Sequence, residues 1–214
     1  MRLYKRISPA ILITLIFGII INTSSLDTSN FGDNDSIRYG VTITGDLKKT
    51  IDSKYRIANT SLAQINTEFS KIVRIANKQV GDIGGNKYWS WYGFNKKVAW
   101  CACFVSWCAN QCGFIEQGII PKFAAVKYGQ AWFKSRNLWL PGYKTPKPGM
   151  IIFFDFVNSD LHDGRDGLGD HVGIVTSVKD GYVYCVEGNY NDMVASTKYV
   201  IGNANILGYG TPEY

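Results

Sequence analysis

The sequence predicts an α+β fold in which N-terminal helices pack on a small antiparallel β-sheet. Three observations carry this. Apolar residues recur at helical spacing as far as Lys134. Pro146 and Pro148 then interrupt the chain. Beyond them the period is that of strands, with a Lys179-Asp180-Gly181 turn between two of them. Helices followed by hairpin-linked strands is the order of an α+β domain. Of the 214 residues, 46% are hydrophobic and 14% aromatic, enough to build a core and to exclude a wholly disordered chain. No internal repeat or sustained heptad is present.

The chain opens on a positive segment (Arg2, Lys5, Arg6) and the apolar run Ala10–Ile21. That is the plan of a secretory signal, although no A-x-A cleavage site follows. The run is shorter than the ~20 residues of a comfortable membrane span. Residues 1–25 are therefore read as a signal peptide or a retained membrane anchor. Either puts the rest of the chain outside the cytoplasmic membrane, secreted or tethered to its outer face. Residues 26–60 are rich in Ser, Thr, Asn, Asp and Gly and read as a linker. Residues 61–214 read as the folded domain.

Within that domain, Ser61-Leu62-Ala63-Gln64 is a capping-box pattern. Ile65, Phe69, Ile72, Val73, Ala76 and Val80 then repeat at helical spacing, which predicts a helix over Leu62–Val80 ended by Gly81 and Gly84-Gly85. Lys87–Gly93 is aromatic-rich, either a packing lid or one wall of a groove. Cys101–Cys112 predicts a second helix stopped by Gly113, and Ala124–Lys134 a third. Strands are predicted at Met150–Phe156, Val172–Val178 and Tyr182–Val186, with Ile206–Tyr209 as an edge strand.

The net charge is +6, three of it from the leader. A mildly basic chain suits an anionic polymer, but no Lys/Arg stripe interleaved with aromatics points to nucleic acid. Five cysteines, an odd number with four between Cys101 and Cys112, do not make a disulfide framework; they flag a free thiol. Cysteines spread round one continuous helix cannot wrap a tetrahedral zinc. The Asp155–Asp170 loop is acidic but lacks the calcium-loop register, so a hydrated turn is favoured, with calcium left open. No cofactor or metal is otherwise expected.

Cysteine with histidine can build a nucleophile without a cofactor. Cys101 falls at a helix N-terminus, where free N–H groups and the macrodipole favour a thiolate. Cys108 and Cys112 lie on the apolar face, Cys185 lies within a strand, and Cys103 is expected to point away from Cys101. Of the two histidines, His171 opens a strand beside the core and His162 sits in the acidic loop. Glu187-Gly188-Asn189 closes the partner strand, where a carboxylate or amide could orient an imidazole.

These segments resemble one family: Trp100-Cys101-Ala102-Cys103-Phe104-Val105-Ser106-Trp107, Pro148-Gly149-Met150-Ile151-Ile152-Phe153-Phe154, Asp170-His171-Val172-Gly173-Ile174-Val175 and Val186-Glu187-Gly188-Asn189. They are similar to the CHAP family, the cysteine, histidine-dependent amidohydrolases/peptidases of the papain-like NlpC group. The resemblance runs from about Ile72 to Tyr214. It implies a papain-like fold with Cys101 as nucleophile, His171 as general base, Glu187 as orienting residue and Asn189 beside it. It also implies peptidoglycan as substrate, cut at the N-acetylmuramoyl-L-alanine amide or within the stem or cross-bridge. Tyr88, Trp91, Tyr92 and Trp100 are the candidate substrate-binding aromatics. The chain departs from the family at Met150, where an Asp is usual, and has no Gln or acidic stretch over Phe94–Trp100. Asn95 offers an amide there as a candidate oxyanion donor. The expectation is a monomeric cell-wall hydrolase that meets the membrane only through its N-terminal segment. The alternatives are a non-enzymatic wall-binding module and a cysteine amidase acting on a non-wall peptide.

Overall fold

A computed structural model describes residues 46, 49, 50, 52–54, 56, 71–157 and 165–214. Met1–Leu47 and Lys48–Tyr214 are separate units, and every labelled element lies in the second. The leader, most of the linker, Leu62–Ser70 and His162 fall outside the described residues. Within the stretch read as linker, residues 46, 49, 50, 52–54 and 56 are helical.

The fold is α+β. Residues 71–77 are helical and end in a turn at 78–81, with Gly81 at φ 99°. Ile72 and Ala76, one turn apart, are buried. Helix α1 is Asn86–Tyr92, α2 is Cys101–Cys112 and α3 is Val126–Ser135. The aromatic segment is thus helical. Helix α2 has the predicted bounds and stops at Gly113, whose φ of 79° suits glycine. Lys71 donates to the Cys112 carbonyl at 2.8 Å, a cation at the negative end of α2.

The strands are β1 Trp139–Pro141, β2 Ile151–Phe154, β3 His171–Lys179, β4 Tyr182–Tyr190, β5 Met193–Val200 and β6 Ile206–Gly210. They form one antiparallel sheet in the order β1-β6-β2-β3-β4-β5. Two corrections follow. The strand at Ile206 is not an edge: it lies between β1 and β2, because the short strand at Trp139 covers its outer side. The sheet edge beyond β4 is β5, which the sequence reading did not contain.

β2 is buried on both faces, as its unbroken apolar run requires. Ile151 and Phe153 face a cluster with α2, α3 and Trp139. Ile152 and Phe154 face a second cluster with Val175, Cys185 and Tyr209. Helix α2 crosses the first face so closely that β4 must carry a glycine: a Cβ on Gly188 would lie 2.4 Å from the Phe104 Cβ and 2.9 Å from the Trp100 ring. Gly188→Ala is expected to destabilise the domain by about 1–3 kcal/mol through overpacking, read from urea unfolding. Wild-type stability in that variant would mean that α2 does not sit this close to β4.

Candidate active site

Cys101 is the first residue of α2, and the Phe104 N–H is the first to bond into the helix ladder, to the Trp100 carbonyl at 2.9 Å. The N–H groups of Cys101, Ala102 and Cys103 therefore have no partner within the ladder. No acidic residue occupies the first turn, so nothing offsets the positive end of the helix beside the thiol. Cys101 is 4% exposed, enough contact with solvent to distinguish it from its neighbours Cys103 and Cys108, which have none.

Burial pushes the Cys103 thiol up to about 11, helped by the charge of Cys101. Burial likewise holds Cys108 and Cys185 well above the ordinary thiol range. All five cysteines are buried, and none is in a disulfide.

His171 opens β3, where it pairs across the ladder with Phe154 of β2. Its side chain is 14% exposed. Nε2 lies 2.9 Å from Glu187 Oε2. The Cys101 side chain acts electrostatically on the imidazole, and with Nε2 engaged by Glu187, Nδ1 is the ring nitrogen left open. Cysteine, imidazole and carboxylate thus interact as one group.

Glu187 has no solvent exposure. Its side chain fills the space over Gly173 of β3, where a Cβ would lie 2.6 Å from Glu187 Cγ. That glycine lets the carboxylate lean along the sheet toward His171. Thr197 Oγ1 donates to Oε1, and Tyr199 Oη donates to Oε2 at 3.4 Å. Both donors lie on β5. The sequence carries a signal for that strand in Asn191-Asp192: both have positive φ, 49° and 63°, between the paired residues Tyr190 and Met193. That is a two-residue hairpin turn.

Asn189 does not take the Glu187 position. It sits at φ 61° where the β4–β5 register shifts, and lines a surface cavity with Phe156, Asp170, His171, Tyr190 and Asn191.

The aromatic candidates divide. Tyr88 and Trp100 are corrected to core residues: neither is exposed, their rings stack at 5.3 Å, and the Tyr88 hydroxyl donates to Asp82 at 2.6 Å. Trp91 and Tyr92 are half-buried and share the Lys122 ammonium, 4.9 and 4.7 Å from their centroids. Asn95 is exposed.

Among the described residues no cluster of three or more His, Cys, Asp or Glu could hold a metal ion. In the acidic loop, Asp155 accepts the Gly167 N–H at 2.8 Å and Asp170 the Phe156 N–H at 2.9 Å. Gln130 clasps the same loop, donating to the Gly167 carbonyl and accepting the Gly169 N–H, both at 2.9 Å. Among the described residues, too, no helix is long and apolar enough to cross a membrane.

Residues 91–189 match the family model of the CHAP domain. Two solved structures are similar. One, the crystal structure of Ly7917 with the hydrolyzing product of MDP, is 18% identical with a TM-score of 0.44. The other, Ly7917, is 17% identical with a TM-score of 0.42. In both cases 67% of this chain is covered, and the chain spans 62% of the length of the solved structure. No curated protein matches the chain.

Burial disfavours the imidazolium of His171, but the Cys101 and Glu187 side chains outweigh it and raise the group from 6.5 to about 10. The folded value lies above the unfolded one. The stability this supplies is therefore complete below about pH 6.5 and is lost as pH rises toward about 10. Cys101→Ala removes the largest favourable partner. Its unfolding free energy is expected to vary less with pH across that window than the wild type's, as measured by urea titrations at stepped pH. Equal slopes would show that the pair is not coupled.

Proposed function

We propose that this protein is a peptidoglycan hydrolase that cleaves an amide bond through a Cys101 thioester. One observation carries the reading: His171, held by buried Glu187 at 2.9 Å, interacts electrostatically with Cys101 at the open start of a helix.

In the proposed reaction the Cys101 thiolate attacks the carbonyl carbon of the scissile amide. Helix N–H groups at Cys101 and its neighbours face the developing oxyanion. The imidazolium of His171 gives its proton to the departing nitrogen as the C–N bond breaks. The amine product leaves and a thioester to Cys101 remains. His171, now neutral, takes a proton from water. The hydroxide formed adds to the thioester carbonyl, the C–S bond breaks and the acid product is released. Glu187 keeps the imidazole in the tautomer and orientation both steps need. Asn189 borders the cavity at His171, on the side from which substrate would approach. Trp91 and Tyr92 are proposed as a flanking wall.

The substrate assignment rests on the CHAP domain together with a leader that would export it. We further propose that residues 1–25 act as signal or anchor and 26–60 as a spacer, so that a monomeric domain works on the wall from the outer face of the membrane. No cofactor is invoked.

Cys101→Ala and His171→Ala are each expected to lower product release from purified peptidoglycan by at least ~10³-fold, the scale seen when a triad member is removed. Mass spectrometry of the released products separates the chemistries. Stem peptides with a free N-terminal alanine indicate an amidase, and cuts within the stem or cross-bridge an endopeptidase. Wall binding without wild-type product, and indifferent to Cys101→Ala, would replace this reading with a binding module.

A further inference from the structure

We propose that Thr197 and Tyr199, on the edge strand β5, are positioning residues that fix the orientation of Glu187 and through it the basicity of His171. Both lie outside residues 91–189, the stretch that matches the CHAP domain family. The proposal rests on the assignment of Cys101, His171 and Glu187 given above.

Its basis is the accounting of one buried carboxylate. Glu187 is on β4 with no solvent exposure. A charged carboxylate in such a place needs hydrogen bonds to remain ionised. His171 satisfies part of Oε2, and Oε1 points away from it, where Thr197 donates its hydroxyl. Tyr199 donates to Oε2 alongside His171. The two donors are two residues apart, so they share a face of β5. Register puts Thr197 opposite Cys185 and Tyr199 opposite Val183, on the face that also carries Glu187.

The arrangement is closed from behind. The Tyr199 ring packs on Phe154 at 4.8 Å, and Phe154 packs on His171 at 5.9 Å. Tyr199 therefore touches the carboxylate with its hydroxyl and braces the imidazole through Phe154. Burial and the Glu187 charge hold its phenol above the ordinary tyrosine range, so it stays a donor at every working pH. Thr197 acts on Oε1 alone and fixes the rotation of the carboxylate. Without its hydroxyl, Oε1 is a buried acceptor with no donor; the carboxylate turns to find one, and His171 loses its partner.

The test compares Thr197→Val, Thr197→Ser and Tyr199→Phe in the full chain. The first readout is the titration of His171 by NMR, in a His162→Gln background so that one imidazole remains. It needs no activity, and so stands even if peptidoglycan is not the substrate. Thr197→Val is expected to move the His171 midpoint down from about 10 toward 6.5, and Thr197→Ser to restore it. Tyr199→Phe is expected to move it in the same direction by less, since its contact is longer.

The second readout is kcat and KM on soluble muropeptides. Thr197→Val should lower kcat by about 10- to 100-fold, the scale of one hydrogen bond to a charged group, with KM little changed and Ser again restoring it. A wild-type midpoint in both Thr197→Val and Tyr199→Phe overturns the proposal. So does a Thr197→Ser variant, folded by circular dichroism, whose midpoint stays as low as that of Thr197→Val. A normal set of midpoint shifts with no wild-type hydrolysis would leave this proposal standing and remove the peptidoglycan assignment instead.

Discussion

A carboxylate with no access to water must find its compensation inside the protein, and much of this fold is arranged around that requirement at Glu187. Its partners come from both sides of β4: the imidazole from β3, two hydroxyls from β5. The contacts hold only in one register, because slipping either neighbour by one residue would turn its side chains to the opposite face. The same constraint explains Gly173, which leaves the carboxylate room to lie over β3. It also accounts for why ordinary apolar packing sits immediately behind the site: Phe154, Tyr199 and Cys185 exclude water, which strengthens each polar contact they surround.

The four cysteines of α2 show how far position outweighs identity. They share one side chain and one helix. Cys103, Cys108 and Cys112 meet the hydrophobic core, and burial keeps the first two protonated. Cys101 meets the unpaired N–H groups at the helix start, together with an imidazole. A thiol placed two residues further along, as at Cys103, still meets an unpaired N–H but loses the imidazole. The helix is short, and its stop at Gly113 and its tie to Lys71 fix the far end.

That helix was legible in the sequence to the residue, because a polar-free apolar face and a glycine stop leave no competing assignment. The hairpin of β3 and β4 was legible from its Asp-Gly turn and alternation, and with it the proximity of His171 and Glu187. The separate roles of the aromatics were not. Tyr88 and Trp91 are three residues apart in one short helix, and only tertiary packing decides that Tyr88 faces the core and Trp91 the surface. Strand β5 escaped because few of its residues are buried: Val194 is the one that reaches the core, and the rest alternate between half-buried and exposed. An edge strand lacks the apolar run that marks a central one, so its hydroxyls read as surface polarity rather than as donors to a buried charge.

The two halves of the site are held to each other by a route that passes through that same strand. Residues 81–84 pair along the start of β5, through Gly81 to Val194, Val194 to Asp82 and Gly84 to Asp192. Asp192, in the β4–β5 turn, meets Lys97 at 2.7 Å and receives the Trp100 indole N–H at 3.4 Å. The ion pair is exposed and adds little by itself. Its consequence is geometric. Trp100 is the N-cap of α2 and the residue next to Cys101, so the turn that starts β5 is docked on the residue that starts the nucleophile helix. From Cys101 one can pass through Trp100, Asp192, β5 and Thr197 to Glu187 by hydrogen bonds and chain connections, and on to His171, which interacts electrostatically with Cys101. A closed circuit of this kind cannot shift one member without straining the others. It fixes thiol and imidazole relative to each other although they stand on a helix and a strand far apart in the chain.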